Sequence, residues 1–437
     1  MKIAVIGTGY VGLVSGVCLA EFGFDVTCVD TNPQIIERLS RGEVTIFETG
    51  LESLLQSNLL AGRLSFTGDL SCAAATADVI FIAVGTPSDD TGGEADLGAL
   101  MAAADAIAPV MKSGAVVVVK STVTVGTCAI VRERIRAARP DADFSIVSNP
   151  EFLREGSAIA DFMHPDRVVV GYDDDRAKAV MQAVYQSLSS KDVPILFTKL
   201  ENAELIKYAA NAFLAMKVTF INQVADLCEK IDGNVQDVAK AIGLDARIGG
   251  KFLNAGPGIG GSCFPKDMRA FAALGRRHGT PQRLIESVVD VNEARKLEMA
   301  RRIIAHMQET GGKVVAVLGV AYKANTDDMR EAPALDIIPP LLAAGLTVRA
   351  HDPAAMPSAK LVMPDIDWCP SSDEAIQGAD LVVILTDWDA YRHLDPAQLA
   401  KQMRGTVIFD TRNLYRGDEF KSAGLTYHSV GRMPVQA

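Results

Sequence analysis

The stretch KIAVIGTGYVG, residues 2–12, decides the fold of this chain. An apolar, β-branched run, Lys2–Ile6, leads directly into three glycines, Gly7, Gly9 and Gly12, and a helical pattern follows. A strand, a tight glycine turn and a helix in this order begin a βαβ unit of a doubly wound α/β domain. The sequence therefore predicts a Rossmann-like domain at the N-terminus.

The same three glycines predict a site for a dinucleotide. They let backbone N–H groups at the positive end of a helix approach a pyrophosphate closely. Asp30 ends the next predicted strand, where its carboxylate can accept hydrogen bonds from a ribose 2′-hydroxyl and would repel a 2′-phosphate. NAD is therefore favoured over NADP as the cofactor. The alternative is a glycine-rich turn followed by an ordinary surface aspartate.

Short β-branched segments alternate with helical patterns beyond this unit. Further strands are predicted at Asp25–Val29, Val79–Val84, Ala115–Lys120, Phe144–Val147 and Arg167–Val170. Unbroken apolar runs among them are typical of strands that helices cover on both faces, as in a parallel sheet. The first doubly wound domain is predicted to span residues 1–198.

The pattern changes at Leu200. From there to about Ile231 the chain contains no glycine or proline, and its apolar residues recur at intervals of three and four. One helix of about 30 residues, roughly 45 Å long, is expected. Such a helix usually bridges domains or forms an oligomer interface. More helix is expected up to Gln308, so residues 199–308 are predicted to form a central helical domain.

The last third returns to an α/β pattern. Strands are predicted at Val314–Leu318, Thr347–Ala350, Leu381–Leu385 and Val407–Phe409. The stretch KVVAVLG at 313–319 resembles the N-terminal KIAVIG, but only Gly319 of the three fingerprint glycines is present. Residues 309–437 are therefore predicted to form a second Rossmann-like domain without a dinucleotide fingerprint.

Composition excludes several classes of protein. The chain has 437 residues and a net charge of −11, which argues against nucleic acid as the main partner. No run of apolar residues is long enough to span a membrane. Seven scattered cysteines without a C-x-x-C pair, and six histidines without an H-E-x-x-H motif, predict neither a disulfide framework nor a metal site. A soluble, cytoplasmic protein is expected.

A second informative stretch, GIGGSCFPKD at residues 258–267, places Cys263 just before a predicted helix. Pro265 suits the first helical position, so unpaired N–H groups and the helix dipole would stabilise a thiolate there. Lys266 adds positive charge, and the glycines would let a substrate approach the backbone. Cys263 is the candidate nucleophile. The alternative is a buried structural cysteine, which is the role expected of the other six.

Two pairs of polar residues four positions apart are further candidates. Glu151 and Glu155, in NPEFLREG at 149–156, could share a helical face as acid/base or ribose-binding groups. Lys207 and Asn211, on the long helix, could hold a water or an alkoxide. Taken singly, such pairs are more often solvated helix faces.

Together these motifs resemble the UDP-glucose 6-dehydrogenase family within the nucleotide-sugar dehydrogenases. The matching stretches run in family order from residue 1 to about 416: GTGYVG (7–12), VGTPS (84–88), STVTVGT (121–127), SNPEFLREG (148–156), ELIKYAANAFLA (204–215), RIGGKFLNAGPGIGGSCFPKD (247–267), GVAYKANTDDMRE (319–331) and FDTRNLY (409–415). The resemblance implies two Rossmann-like domains joined by a central helical region that also forms a homodimer.

The resemblance also implies an activity, the oxidation of the C6 alcohol of UDP-glucose to a carboxylate with NAD. Cys263 would capture the intermediate aldehyde as a thiohemiacetal, and a thioester would follow. Lys207 and Asp267 would assist proton removal through a water, Glu151 would be the base in thioester hydrolysis, and Asn211 would orient the sugar. The implied catalytic set is Cys263, Lys207, Asp267, Glu151, Asn211 and Thr122.

Binding positions follow from the same motifs. Those implied for NAD are Gly7, Gly9, Tyr10, Val11, Gly12, Asp30, Thr86, Thr122, Glu155, Lys266 and Arg330. Those implied for the nucleotide sugar are Glu151, Phe152, Leu153, Arg154, Glu155, Lys207, Asn211, Phe252, Leu253, Asn254, Ala255, Gly256, Gly260, Lys323 and Arg412. Arg247 would reach the substrate of the neighbouring subunit, which would make the dimer part of the site.

Two alternatives remain open at this point. The first is the same chemistry on another nucleotide sugar, such as GDP-mannose or a UDP-N-acetylhexosamine. The second is a non-catalytic NAD-binding protein with the same fold. The intact set Cys263, Lys207, Asp267 and Glu151 favours an enzyme, because a silent relative would be expected to lose at least one of them.

Overall fold

The computed structural model describes residues 1–87 and 95–437, which form two compact units. The first unit comprises Met1–Ala210 and Ala273–Pro281, and the second comprises Asn211–Ala272 and Gln282–Ala437. Ser88, the last residue of the VGTPS motif, lies outside the described residues. Within the described ranges, no helix has the length and hydropathy needed to cross a membrane. The three-domain division at residues 198 and 308 stays a prediction.

An eight-stranded sheet is the centre of the first unit. Its strands are β1 (Lys2–Ile6), β2 (Asp25–Val29), β3 (Leu64–Thr67), β4 (Val79–Ile82), β5 (Ala115–Val119), β6 (Phe144–Ser148), β7 (Val168–Tyr172) and β8 (Ile195–Thr198). They lie in the order β3-β2-β1-β4-β5-β6-β7-β8. All neighbours are parallel except β6 and β7, which are antiparallel. The predicted parallel sheet thus contains one antiparallel pair. Because antiparallel neighbours need no crossover, residues 149–167 are left to form an irregular loop and one short helix.

Helices surround this sheet. They are α1 (Tyr10–Glu21), α2 (Pro33–Ser40), α3 (Leu51–Leu60), α4 (Leu70–Thr76), α5 (Gly98–Ile107), α6 (Thr127–Ala138), α7 (Ala158–Met163), α8 (Asp175–Val184) and α9 (Gln186–Ser189). Alternate residues of β1 belong to different apolar clusters, Ile3 and Val5 to one and Ala4 and Ile6 to the other. The sheet is therefore buried on both faces, as the unbroken apolar runs predicted.

The predicted long helix is α10 (Leu200–Cys228), which has 29 residues and begins at the predicted residue. It ends three residues early, where the amide of Gly233 donates to the carbonyl of Cys228 at 2.8 Å. The boundary between the two units falls within α10. The following helices are α11 (Val235–Gly243), α12 (Phe264–Arg277) and α13 (Arg283–Thr310).

A six-stranded, entirely parallel sheet forms the core of the second unit. Its strands are β9 (Val314–Leu318), β10 (Thr347–His351), β11 (Asp367–Trp368), β12 (Leu381–Ile384), β13 (Val407–Asp410) and β14 (Thr426–Ser429), in the order β11-β10-β9-β12-β13-β14. Its helices are α14 (Pro333–Ala343), α15 (Met356–Val362), α16 (Ser372–Ile376), α17 (Pro396–Gln402) and α18 (Asp418–Ser422), with a 3-10 turn at Asp389–Tyr391. The two doubly wound sheets confirm the predicted fold class.

The glycines of the N-terminal turn differ in what surrounds them. A Cβ at residue 12 would lie 2.0 Å from the carbonyl oxygen of Gly7, because α1 packs directly on the turn. A Cβ at residue 9 would meet no described atom within 4 Å.

We therefore expect Gly12→Ala to lower the midpoint of thermal unfolding of the ligand-free protein by about 5 °C or more. Gly9→Ala is the matched control and should shift it by about 1 °C or less. Equal shifts in the two variants would contradict this account.

Candidate active site

The turn after β1 has the backbone shape that a dinucleotide needs. Gly7 has a φ of +96°, and its amide donates to the carbonyl of Val29 at 2.8 Å, which closes the turn. α1 begins at Tyr10, so Gly9 lies at its N-terminus beside open space. A pyrophosphate could approach the backbone there without meeting a side chain. The residues present therefore fit NAD.

Asp30 is held in place at the end of β2 by the same turn. Its Oδ2 accepts hydrogen bonds from the amide and the hydroxyl of Thr8, at 3.0 and 2.6 Å, and its Oδ1 accepts one from the amide of Asn32. Burial raises the pKa of Asp30, but these hydrogen bonds outweigh it and hold the pKa below the usual value. The carboxylate is therefore ionised and suited to ribose hydroxyls rather than a 2′-phosphate.

The structure brings together the two threonines that the motifs assigned to the cofactor. Thr86 follows β4 and donates its hydroxyl to the carbonyl of Thr122, which follows β5, at 2.8 Å. Next to them, the hydroxyl of Ser121 donates to the carbonyl of Val84 at 2.7 Å. The two loops leave the carboxyl ends of β4, which pairs with β1, and of β5, which pairs with β4. This is the edge at which parallel sheets bind ligands.

Glu151 and Lys207 form a buried ion pair. Lys207 Nζ lies 2.9 Å from Glu151 Oε1, and each side chain is 4% exposed. The second oxygen, Glu151 Oε2, accepts the amide of Leu153 at 2.5 Å. Residues 151–154 have no regular secondary structure, so the predicted helical face shared by Glu151 and Glu155 was wrong. Glu151 is held by an ion pair and its own loop instead.

A lysine that the sequence analysis missed lies in the same neighbourhood. Lys120 follows β5, is buried, and donates to Asn149 Oδ1 at 3.1 Å. Burial lowers the pKa of Lys120 to about 8, although the charge of Glu151 acts in the opposite direction. For Glu151, burial alone would raise the pKa, but the charge and hydrogen bond of Lys207 lower it, with a smaller effect of Lys120. A lysine directly after the apolar run VVVV was the available sequence clue.

Aromatic and charged side chains complete the loop that carries Glu151. The guanidinium of Arg167 lies 3.5 Å from the centre of the Phe152 ring, a cation–π contact. Arg154 is exposed and pairs with Asp161 at 2.6 Å. Leu153 packs against the apolar core of the first unit.

A buried carboxylate missed in the sequence joins this loop to the cofactor turn. Glu48 accepts hydrogen bonds from the hydroxyl of Tyr10 and from the amides of Gly156 and Ala158. Burial, followed by the carboxylate of Glu48, raises the pKa of Tyr10, so its hydroxyl stays protonated as the donor. Its neighbour Val11, also assigned to the cofactor, packs at the edge of the first-unit core.

In the second unit, Cys263 directly precedes α12, as predicted, and it is partly exposed. The carbonyl of Cys263 accepts the amide of Asp267 at 2.8 Å, which forms the first turn of the helix. The helix begins at Phe264, so Pro265 is its second residue and not the predicted first. Ser262 Oγ lies 3.5 Å from Cys263 Sγ. Of the other six cysteines, Cys72 is exposed, so the expectation that all six are buried was wrong; it lies in α4, a short surface helix.

Asp267 is fully buried between two polar partners in the first turn of α12. Asn211 Nδ2 donates to Asp267 Oδ2 at 2.6 Å, and Lys266 Nζ lies 2.7 Å from Asp267 Oδ1. The structure therefore connects Asp267 with Asn211, a second implied catalytic residue, and with Lys266, three residues after Cys263. Both carboxylate oxygens are hydrogen-bonded, as a buried charge requires.

Protein packing requires the glycines at positions 260 and 261, before Cys263. A Cβ at Gly260 would lie 2.3 Å from the carbonyl oxygen of Glu331, and one at Gly261 would lie 2.6 Å from the ring of Tyr322. The amide of Gly261 also donates to the carbonyl of Arg330 at 3.0 Å. The GIGGSC stretch therefore needs glycines because the GVAYKANTDDMRE segment packs on it.

The remaining predicted residues of the second unit lie around the loop 252–256. Phe252 begins it with a φ of +65°, Leu253 and Ala255 are buried in the core, and Asn254 is exposed. Gly256 lies close to Arg412, since a Cβ at residue 256 would be 3.5 Å from Arg412 Nη1. Arg412 is oriented by the carbonyls of Leu385 and Tyr322, at 2.6 and 2.9 Å.

Three further basic residues assigned to ligands lie near the surface. Arg330 pairs with Asp328 at 2.9 Å, and Lys323 Nζ lies 5.3 Å from the centre of the Tyr322 ring. Arg247 has an 89% exposed side chain and pairs with its near neighbour Asp245 at 2.6 Å.

Three family models cover most of the chain. The NAD binding domain of the UDP-glucose/GDP-mannose dehydrogenase family matches residues 1–189, its central domain matches 201–294, and its UDP binding domain matches 316–417. The chain is 52% identical to a UDP-glucose 6-dehydrogenase of Rhizobium meliloti, over 99% of this chain and all of that protein.

Solved structures agree with these matches. A UDP-glucose dehydrogenase from the archaeon Pyrobaculum islandicum superposes with a TM-score of 0.90 at 39% identity, over 99% of this chain and 98% of the other. A UDP-D-ManNAc dehydrogenase from Pyrococcus horikoshii superposes with a TM-score of 0.88 at 26% identity, over 99% of each chain.

The buried pair predicts a pH-dependent stability defect. Lys207→Met would leave Glu151 buried without its main counter-charge and should lower the free energy of unfolding by about 3 kcal/mol at pH 7. In the wild type the pKa of Glu151 is lowered, so the pair stabilises the fold above the ordinary carboxylate pKa and less so as pH falls. In the variant the pKa should rise, and the defect should shrink between pH 7 and pH 5 as the carboxyl is protonated.

Denaturant unfolding across this pH range measures the effect. The double variant Glu151→Gln/Lys207→Met is the control, because it removes the unpaired charge, and it should recover part of the lost stability at pH 7. A defect independent of pH, or equal in the single and double variants, would argue against this electrostatic account.

Proposed function

The chain belongs to the UDP-glucose/GDP-mannose dehydrogenase family, and on that premise we propose that it oxidises UDP-glucose to UDP-glucuronate with NAD. The observation that carries the proposal is the partly exposed thiol of Cys263 at the start of α12, one turn from the buried Asp267. An alcohol dehydrogenase that stops at the aldehyde has no need of such a nucleophile. An enzyme that continues to the acid does, because a covalent bond retains the aldehyde for its second oxidation.

We propose that the turn after β1 holds the cofactor. Gly7, Gly9 and Gly12 would receive the pyrophosphate, Asp30 the adenosine ribose, and the Thr86–Thr122 pair the nicotinamide half. When bound, NAD supplies the acceptor for the hydride that leaves C6, once from the alcohol and once from the thiohemiacetal. The assignment of Tyr10, Val11, Glu155, Lys266 and Arg330 to the cofactor is part of the same proposal.

The first oxidation needs a base for the hydroxyl proton of C6. In the proposed mechanism a water takes up this proton, and Lys207 and Asp267 hold that water and stabilise the oxygen as its negative charge develops. Asn211 would orient the sugar. The hydrogen bond between Asn211 and Asp267 keeps the carboxylate in one orientation, which supports a positioned rather than a mobile group.

Cys263 is the proposed nucleophile that binds the aldehyde covalently for the second oxidation. The sulfur adds to C6 of the aldehyde, the carbonyl oxygen takes up a proton, and a thiohemiacetal forms. Loss of a hydride and of the hydroxyl proton turns this adduct into a thioester. Water then attacks C6, the C–S bond breaks, and the thiolate leaves. Overall, one alcohol, two NAD and one water become one carboxylate, two NADH and three protons.

Glu151 is the proposed base that activates this water. Its lowered pKa keeps the carboxylate ionised and able to accept a proton. Its partner Lys207 holds one oxygen and the amide of Leu153 holds the other, so the base has a defined position. The contacts of residues 152–155 with the sugar, and those of Phe252–Gly256, Gly260, Lys323 and Arg412 with the nucleotide, are proposed on the same footing.

Two alternatives are less well supported. GDP-mannose or a UDP-N-acetylhexosamine as the substrate agrees less well with a relative at 52% identity that is named for UDP-glucose. A higher kcat/KM with one of them would nevertheless favour that assignment. A non-catalytic NAD-binding protein would not need Cys263, Lys207, Asp267 and Glu151 together. The cytoplasmic location stays a prediction from the cysteine usage.

We also propose a homodimer formed through α10. Phe213, Phe220 and Leu227 recur every seven residues on this helix and are each more than half exposed in the single chain. A spacing of seven returns to the same helical face, so they form an apolar stripe that a second copy would cover. Lys217 of the same helix donates to the carbonyls of Ile248 and Gly249, which attaches the loop of Arg247 to this face.

The stoichiometry of NADH tests the oxidation to the acid. The wild type should form about two NADH for each UDP-glucose consumed. Cys263→Ser should lower turnover about a thousandfold or more, because the weaker nucleophile cannot carry the covalent steps. Cys72→Ser, at the exposed cysteine of α4, is the matched control and should match the wild type. A ratio of one NADH per sugar, or unchanged NADH production by Cys263→Ser, would refute the covalent mechanism.

Mixing two inactive variants tests the shared site. If Arg247 acts on the neighbouring subunit's substrate, Arg247→Glu and Cys263→Ser are each inactive, but a mixed dimer contains one site with both groups. Random exchange of subunits should then restore about a quarter of the wild-type specific activity. No recovery in an exchanged mixture would show that Arg247 does not act across subunits.

Gel filtration tests the dimer itself. Phe220→Glu places a charge in the apolar stripe, and this variant should elute as a monomer.

A further inference from the structure

The loop 252–256 depends on a polar clamp at its C-terminal end. The amide of Gly256 donates to Asn222 Oδ1 at 2.8 Å, and its carbonyl accepts a hydrogen bond from Arg295 Nε at 2.6 Å. Asn222 lies on α10 and Arg295 on α13, so both backbone groups of one glycine are held by two different helices. All of these groups lie within the second unit.

Arg295 is buried and held by further contacts with α10. Its side chain is 3% exposed, and its Nη1 donates to the carbonyl of Asn222 at 3.2 Å and to Asp226 at 2.9 Å. Burying a guanidinium is unfavourable unless its charge is paired and its N–H groups are bonded. Asp226 supplies the counter-charge and the Gly256 carbonyl accepts the Nε–H, whereas the buried Nη2 has no hydrogen-bond partner among the described residues.

The loop needs such support because its backbone is strained at the other end. Phe252 has a φ of +65°, a left-handed conformation that a bulky residue rarely adopts. Its ring centre lies 5.9 Å from that of Phe264. A strained conformation persists only where its surroundings determine it, and the clamp at Gly256 provides one such constraint.

The clamp also decides what lies next to Arg412. Two donors of this arginine are engaged by the carbonyls of Leu385 and Tyr322, and Gly256 faces Nη1. If Gly256 moved towards the guanidinium, it would block access to Nη1. If it moved away, the loop would no longer lie beside Arg412. The distance between Gly256 and Arg412 is therefore set by the helices α10 and α13.

We propose that Asn222 and Arg295 are positioning residues for nucleotide binding, which fix the loop 252–256 beside Arg412 by holding both polar groups of the Gly256 backbone. The inference rests on the proposed function, which assigns this loop and Arg412 to the nucleotide sugar. Neither residue touches the substrate in this account. Their effect is on the affinity for the diphosphate nucleotide and not on the chemical step.

Three variants separate this role from general stability. Asn222→Ala removes the acceptor of the Gly256 amide, and Arg295→Met removes the donor to its carbonyl while Asp226 keeps Arg302 as a partner at 3.3 Å. Asn222→Asp keeps an oxygen that can accept the Gly256 amide, so it should retain the contact that Asn222→Ala loses. Arg301→Met, at an exposed arginine of α13, is the matched control.

Binding and exchange experiments give the readouts. Calorimetry with UDP should show Kd raised about tenfold in Asn222→Ala and in Arg295→Met, the effect of one lost hydrogen bond to a buried group. The Kd for NADH, measured by nucleotide fluorescence, should stay within about twofold of wild type. In the ligand-free protein the amide of Gly256 should exchange faster in Asn222→Ala. KM for UDP-glucose should rise while kcat changes little, and Asn222→Asp should return both Kd and KM towards wild type.

Several outcomes would overturn the proposal. One is a wild-type Kd for UDP in both Asn222→Ala and Arg295→Met, and another is a parallel loss of NADH binding, which would indicate general unfolding. If Asn222→Asp does not recover the affinity for UDP, Asn222 does not act as the acceptor of the Gly256 amide. This comparison tests the proposal even if Arg295→Met does not fold. A wild-type protein that binds UDP but does not oxidise UDP-glucose would refute the proposed function alone, whereas one that binds no UDP would refute both.

Discussion

Lys207 and Glu151 form an ion pair from which water is almost fully excluded, and the loop 149–156 depends on it. Burial of either charge alone would cost several kcal/mol, so the pair exists only because each group neutralises the other and the remaining lone pairs are bonded. The amide of Leu153 and the nearby charge of Lys120 complete that environment. Residues 151–154 form no helix or strand, so their position depends on contacts such as this ion pair. It also attaches the loop to α10, the helix that runs from the first unit into the second.

Two glycine-rich stretches that look alike in the sequence have different physical roles. In the N-terminal turn, Gly12 is needed for the packing of α1 on the backbone of Gly7, whereas Gly9 borders open space that a ligand can enter. In the stretch before Cys263, Gly260 and Gly261 are both covered by other parts of the second unit. The absence of a Cβ therefore leaves open space at Gly9 and permits tight packing at Gly260 and Gly261. Only the neighbouring atoms distinguish these two uses.

The two halves of the chain repeat one architecture but not one site. In the first, Asp30 bonds the Thr8 amide and hydroxyl and stays partly exposed. In the second, the corresponding acidic residue, Asp352, is buried, and its Oδ2 accepts the amides of Val320 and Ala321 and the indole N–H of Trp388. The turn amides that could meet a phosphate are thus already satisfied within the protein. This agrees with the match of a UDP binding domain, rather than a second NAD binding domain, to residues 316–417.

Local pattern was sufficient for the central strands, the long helix and the glycine fingerprint with its NAD preference. The family was identified from the resemblance of the motifs, taken in order along the chain. The predicted strands agree with the observed ones to within two residues at each end. The four strands that were missed, β3, β8, β11 and β14, are the edges of the two sheets. Edge strands are short and face solvent, so they lack the apolar runs that mark a buried strand. Tertiary structure alone decided that Glu151 pairs with Lys207 and that Asp267 pairs with Asn211. It also decided the contacts of the buried residues Lys120, Glu48 and Arg295. All of these contacts join residues that are far apart in sequence. Spacing along a chain reports which residues share an element, but the energy of a buried charge depends on atoms that only folding brings within reach.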